Sequence, residues 1–156
     1  MLFWLCHLRL AKKFCDWTPL NTHPAIVLVE KDDITLELYK RELCKSFNVF
    51  GFTKLEGVLE VMENQDIQAI VIEPEISSGK GWGLIRSIHA TYPDRSIPVI
   101  VCSTRDSSPK GSASEVTKYL TKPVLPSTLR EKTLEIIQEK DKLLGSSWTP
   151  PPFWNI

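Results

Sequence analysis

Between residues 24 and 142 the chain alternates short, wholly apolar runs with amphipathic stretches. Ala25–Val29 reads AIVLV, Ala69–Ile72 reads AIVI and Pro98–Cys102 reads PVIVC. Runs this short are too brief for a helix, and with no polar position on either face they predict strands buried on both sides, as in a parallel sheet. Val49–Phe52 and Tyr119–Thr121 predict two further short strands. Between the strands the period changes. Asp32 or Asp33 predicts the N-cap of a helix in which Ile34, Leu36, Leu38, Leu43 and Phe47 recur at helical spacing. Thr53, followed three residues later by Glu56, predicts a capping box heading a helix with Leu55, Val58, Leu59 and Met62 inward. Ile76–Gly81 predicts a polar, glycine-bearing loop, and Gly83–Thr91 a helix that ends before Pro93. Ser107–Ser114 is poor in helix formers, and Ser127–Lys142 predicts a last helix with Leu129, Leu134 and Ile137 inward. Five strands alternating with helices imply an α/β fold, a parallel sheet covered on both faces.

The two ends differ from this middle zone. Residues 1–23 form an extension that opens on the apolar run MLFWLCHLRL, and residues 143–156 form a tail rich in Pro and Trp. Four of the five tryptophans, Trp4, Trp17, Trp148 and Trp154, lie in these ends, which suggests contacts of their own. The basic residues Arg9, Lys12 and Lys13 follow the apolar opening, and no small-residue cleavage site comes after it, so it reads as an amphipathic extension and not a secretory signal. No stretch reaches the roughly 18 consecutive apolar residues of a membrane span. Pro150-Pro151-Pro152 favours polyproline II, and the tail reads as docking on a partner, folding back on its own domain or being a disordered end.

Composition adds exclusions. The 156 residues carry 19 Lys+Arg against 19 Asp+Glu. That balance argues against nucleic-acid binding by bulk charge and against a polybasic membrane anchor. The four cysteines, Cys6, Cys15, Cys44 and Cys102, contain no CxxC pair and have no histidines at zinc spacing, so reduced thiols in a cytoplasmic protein are expected. His7, His23 and His89 are scattered, and neither a catalytic triad nor an HExxH pattern is present. Gly79-Lys80-Gly81-Trp82-Gly83 lacks the spacing of a phosphate loop. No enzymatic activity is expected.

In an open α/β sheet, ligands sit beyond the carboxyl ends of the strands. The residues there are Glu30, Lys31 and Asp32 after the first strand, Glu73, Pro74 and Glu75 after the third, Ser103 and Thr104 after the fourth, and Lys122 and Pro123 after the fifth. Acids, hydroxyls and amines thus meet at the strand tips. Sliding the first motif to make Asp32-Asp33 the acidic pair would bury Glu30 and Lys31 inside a strand, which is costly.

Four segments, IVLVEKDD (Ile26–Asp33), AIVIEPEI (Ala69–Ile76), PVIVCST (Pro98–Thr104) and YLTKPVLPSTL (Tyr119–Leu129), resemble the receiver domain of response regulators over residues 24–142. The resemblance implies a flavodoxin-like, doubly wound five-stranded parallel sheet of order 2-1-3-4-5. It also implies a role in two-component phosphorelay signalling. Receivers take a phosphoryl group from a histidine kinase onto an aspartate after strand 3, hold Mg²⁺ with an acidic pair after strand 1, and change the face formed by their fourth helix, fifth strand and last helix. Carried over residue by residue, the acidic pair falls on Glu30 and Lys31, the phosphoacceptor position on Glu73, the phosphoryl-binding positions on Ser103 and Lys122, and the switch aromatic on Tyr119. The resemblance also suggests a cis bond between Lys122 and Pro123. The stretch from Ser103 to Lys122 is shorter than usual, so a truncated or irregular fourth helix is expected.

The departures matter chemically. Glu30 and Glu73 against Lys31 and Lys122 sum to zero without a metal, so Lys31 is expected to replace Mg²⁺ electrostatically. An ammonium cannot build the octahedral oxygen shell of Mg²⁺, so phosphotransfer should fail and no cofactor is expected. Glu73 reads equally as a decayed acceptor or as a built-in mimic of the phosphorylated state, and Glu75 reads as a surface acid on a loop. The expectation is a pseudo-receiver, stand-alone or an adaptor, acting by contact with a histidine kinase or another signalling protein, with no nucleic-acid partner and no membrane span. An active phosphoacceptor and, less favoured, a flavodoxin-like cofactor-binding domain stay open. Partner, pathway, signal and oligomeric state are not legible.

Overall fold

The computed structural model describes residues 23–104 and 114–145. Each apolar run becomes a strand: β1 Ala25–Val29, β2 Asn48–Phe52, β3 Ile67–Ile72, β4 Val99–Ser103 and β5 Lys118–Thr121. All pairings are parallel and the order is β2-β1-β3-β4-β5. Alternate residues of each strand feed opposite faces. Ile26 and Leu28 of β1, Ala69 and Val71 of β3, and Ile100 and Cys102 of β4 pack with Leu36, Tyr39 and Leu43 of α1 (Asp33–Leu43) and Leu129, Ile136 and Ile137 of α5 (Pro126–Leu143). Val27, Val29, Ile70, Ile72, Val99 and Val101 pack on the other face against α2 (Val58–Asn64) and α4 (Gly81–Thr91), through Val58, Met62, Leu84, Ile85 and Ile88. Burial on both faces is why β1 is wholly apolar and why β3 and β4 carry a polar side chain only near an end, Gln68 and Ser103.

The helices correct several expectations. Asp32 is the N-cap of α1: its Oδ2 accepts from the Thr35 amide at 2.8 Å and from the Thr35 hydroxyl at 2.7 Å. Ile34 and Leu38, which recur at helical spacing, are 80% and 49% exposed. At 100° per residue they project opposite the stripe of Leu36, Tyr39 and Leu43. The Thr53 capping box does not form. The helix begins at Val58, capped by Gly57 in a left-handed conformation (φ 86°) with no side-chain cap bond, and Leu59 faces outward. Residues 53–57 form bends and a turn that set Leu55 against the core, and only a residue without Cβ turns comfortably at φ 86°. Pro126 opens α5 at the position where a missing N–H does no harm. An ion pair from Arg130 Nε to Glu42 Oε1 at 3.0 Å ties α5 to α1.

Ile76–Gly81, expected as a loop, contains the single turn α3 (Ile76–Gly79), with Ser77 and Ser78 at φ 51° and 59°. Gly81 then starts α4 hard against the loop after β3. A Cβ there would fall 2.7 Å from both the Cα and the carbonyl oxygen of Pro74, so no larger residue fits. Cys102 is a buried free thiol. Cys44 is disulfide-bonded, so the expectation of reduced thiols does not hold there. The expectations for residues 1–22, for most of Ser107–Ser114 with the shortened fourth helix, and for residues 146–156 lie outside the described residues. No helix among the described residues is long and apolar enough to cross a membrane.

Candidate functional site

The strand registers bring the tips together. Val29 lies opposite both Phe52 and Ile72, Ile72 opposite Val101, and Ser103 opposite Thr121. The ladder continues one residue beyond the strands: the Glu30 amide donates to Phe52 O at 3.0 Å, the Glu73 amide to Val29 O at 2.9 Å and the Lys122 amide to Ser103 O at 2.8 Å. These bonds fix the backbones from which the polar side chains project.

Glu30 and Glu73 are almost wholly buried, 2% and 1% exposed. Buried carboxylates need partners, and each has them. Lys122 Nζ sits 2.6 Å from Glu30 Oε2 and 3.5 Å from Glu73 Oε1. Lys31 Nζ reaches Glu73 Oε1 at 2.9 Å from the solvent side, with its own side chain about half exposed. Backbone donors complete the set: the Asp32 amide lies 3.3 Å from Glu30 Oε1 and the Lys31 amide 3.4 Å from Glu73 Oε2. Lys122 enters over a cis peptide bond to Pro123.

Burial, and next the contact with Glu73, push the Glu30 carboxyl above its ordinary 4.5, against the pull of Lys122. Burial also opposes the charge on Glu73, but the contact with Glu30, the ion pair with Lys31 and the field of Lys122 outweigh it and hold Glu73 below 4.5. The two carboxyls in contact are coupled: Glu73 holds its charge more readily than an ordinary glutamate, and Glu30 less readily. Their effects on stability oppose each other. The contribution of Glu30 is present below pH 4.5 and is lost as pH rises through its raised value. That of Glu73 is present above 4.5 and is lost as pH falls through its lowered value. Burial works against the Lys122 ammonium, yet its bond to Glu30 and the field of both carboxylates raise it above 10.5.

Glu30, Lys31, Glu73 and Lys122 therefore form one ion-paired cluster. Ser103 lies beside it, fully buried, and its hydroxyl is engaged by a residue that the sequence placed on a surface loop. Ser103 Oγ donates to Glu75 Oε1 at 2.7 Å. Glu75, expected as a surface acid, is half-buried and turned inward, and with it the strand tips hold three carboxylates against two ammoniums instead of an even balance. The signal that could have found it was Gly81, whose missing side chain lets α4 press on Pro74 and orient the turn carrying Glu75. Tyr119 stands in β5 opposite Val101, half-buried against the apolar layer shared with α2 and α4.

The donor set does not fit Mg²⁺, which takes an octahedral shell of oxygens. Lys31 follows Glu30 and brings an ammonium to the site, the Glu30 oxygens already serve Lys122 and the Asp32 amide, and the Glu73 oxygens face Lys31 and Lys122. Among the described residues no group of three His, Cys, Asp or Glu is placed to hold a metal ion.

Residues 26–134 match the family model described as response regulator receiver domain. Among solved structures, the chain is similar to a CheY-like response regulator receiver domain protein from Methanospirillum hungatei JF-1, with 22% identity and a TM-score of 0.70, covering 78% of this chain and 99% of that one. It is similar to a response regulator from Thermotoga maritima, with 23% identity and a TM-score of 0.61 over 74% of this chain and 98% of that one. A Francisella receiver domain matches at 19% identity and a TM-score of 0.66, over 76% of this chain and 99% of that one. At these identities the structural likeness is one of fold. The comparison with curated proteins finds no match.

Proposed function

The chain belongs to the response regulator receiver domain family, and on that footing we propose that it is a receiver that signals by protein contact without taking a phosphoryl group at Glu73. The carrying observation is the 2.9 Å ion pair between Lys31 Nζ and Glu73 Oε1. A phosphoacceptor needs a free carboxylate oxygen in line with the donor and a metal to neutralise the charge that develops. Here Glu73 is buried between two ammoniums, and Lys31 supplies a positive charge without vacant coordination positions. No Mg²⁺ or other cofactor takes part in this proposal, and no catalysis is assigned to the chain.

The partner is a protein, a histidine kinase or another signalling component. The even charge balance disfavours nucleic acid. The exposed Ile34 and Leu38 on the outer side of α1 give apolar surface that a protein partner can cover. Placement in the cytoplasm belongs to the same proposal, since that is where a receiver meets its kinase.

Incubation with Mg²⁺ and a small-molecule phosphodonor, followed by intact mass measurement at neutral pH, is expected to show no phosphoryl adduct. An adduct that disappears when Glu73 is changed to Gln would overturn the proposal.

A further inference from the structure

The contact between Ser103 and Glu75 plays no part in the function proposed above. Ser103 is fully buried at the end of β4 and donates its hydroxyl to Glu75 Oε1 at 2.7 Å. The second oxygen of the same carboxylate, Glu75 Oε2, is also buried and has no hydrogen-bond partner among the described residues. A glutamate on a turn would keep both oxygens hydrated by pointing outward, because an unsatisfied buried carboxylate oxygen is unfavourable. Something must direct it inward, and the backbone does. Pro74 is buried under Gly81, where no Cβ fits, and the next turn runs through Ser77 and Ser78 in left-handed conformations that side-chain-bearing residues seldom adopt. The segment from Pro74 to Gly81 is thus fixed at both ends with Glu75 aimed at β4.

We infer that Glu75 is a tethered oxyanion: the chain closes an oxyanion site at the Ser103 hydroxyl with a carboxylate of its own. The inference rests on the proposed function in one respect, that Ser103 and Lys122 stand where the family grips a phosphoryl group. Phosphate and carboxylate oxygens accept the same hydrogen bond from a hydroxyl, so the two compete for one donor. The tethered group competes at high effective concentration. Charge adds to this advantage. With Glu75 in place, three carboxylates face two ammoniums, and an incoming dianion is repelled. Without it, the charges balance and the donor is released. The pocket is therefore self-occupied, and the conformation at the ends of β4 and β5 is set by the chain instead of by a transferable group.

Thermal melting with inorganic phosphate at millimolar concentration, against chloride of equal ionic strength, tests this. Wild type is expected to show no phosphate-dependent change. Glu75→Ala is expected to gain a phosphate-dependent rise of about 2–4 °C, as expected of a ligand that binds only the folded state. Adding Ser103→Ala should abolish the rise. Should Glu75→Ala fail to fold, Glu75→Gln serves instead: its amide oxygen can still accept from Ser103, so a smaller rise with the same dependence on Ser103 is expected. An equal response in wild type and in whichever variant folds, or a rise that survives loss of the Ser103 hydroxyl, overturns the inference. A covalent adduct in the phosphodonor experiment bears on Glu73 and is read by mass, so the two proposals fail separately.

Discussion

Replacing Lys122 with methionine is expected to remove roughly 3–5 kcal/mol of stability at neutral pH, the usual result of stripping one partner from a buried pair. Lys122 is the ammonium 2.6 Å from Glu30, and Glu30 is 2% exposed. Methionine keeps the apolar stem and drops only the ammonium, so the loss is electrostatic more than steric. The pH dependence separates this from simple disruption. Without Lys122, the Glu30 carboxyl, already raised by burial and by Glu73, is driven higher still. A raised acid contributes stability at low pH and loses it as pH rises, so the gap between wild type and variant should widen from pH 5 to pH 8. Urea unfolding at several pH values measures it. A gap independent of pH would mean that Lys122 acts through packing alone.

The alkaline limb gives the second large effect. Burial pushes the Cys102 thiol from 9.0 up to about 12, and burial likewise carries the Tyr39 phenol from 10.0 to about 12. The unfolded chain releases these protons first, so both groups destabilise the fold as pH rises from about 9 to 12. At 1.36 kcal/mol per unit, the thiol contributes a loss of roughly 4 kcal/mol and the phenol roughly 3 kcal/mol. The raised Lys122 acts in the same direction, holding its proton in the folded state after the unfolded chain has released it. Together these losses are comparable to the whole stability of a typical domain, so the protein should unfold before pH 12. Cys102→Ala combined with Tyr39→Phe is expected to flatten this limb and raise the pH of half-unfolding, even though the smaller core side chain lowers stability at pH 7. Circular dichroism across the pH range follows it, and an unchanged alkaline midpoint would show that neither proton is held by the fold.

What was legible in the sequence was whatever depends on short-range pattern. AIVLV and PVIVC could only be buried strands, and the polar residues just past them could only lie at the strand tips. That sets Glu30, Glu73, Ser103 and Lys122 in one neighbourhood from the sequence alone. Where local rules met tertiary constraint, tertiary constraint won. The capping box at Thr53 is locally sound, but the segment after β2 packs Leu55 on the core before the helix starts, and Gly57 supplies the turn. Ile34 and Leu38 satisfy the helical period as well as Leu36 and Leu43 do; only the position of the sheet decides which pair faces it. Glu75 was hidden for a related reason. Its direction depends on the packing of Gly81 on Pro74 and on two left-handed serines; the glycine is visible in the sequence, but what it packs against is not.

The bonds at the strand tips join distant parts of the chain. Lys122 and Glu30 are 92 residues apart, Lys31 and Glu73 are 42 apart, and Ser103 and Glu75 are 28 apart. Contacts of such separation form only after the intervening chain has been ordered, so the full cluster exists only once the last strand has joined the sheet. Interactions that arrive late in folding govern how slowly the native state comes apart, with little influence on how quickly it is reached. The ion-paired cluster is therefore a clasp on the lifetime of the folded molecule, and its weakening shortens that lifetime without slowing the assembly of the sheet beneath it.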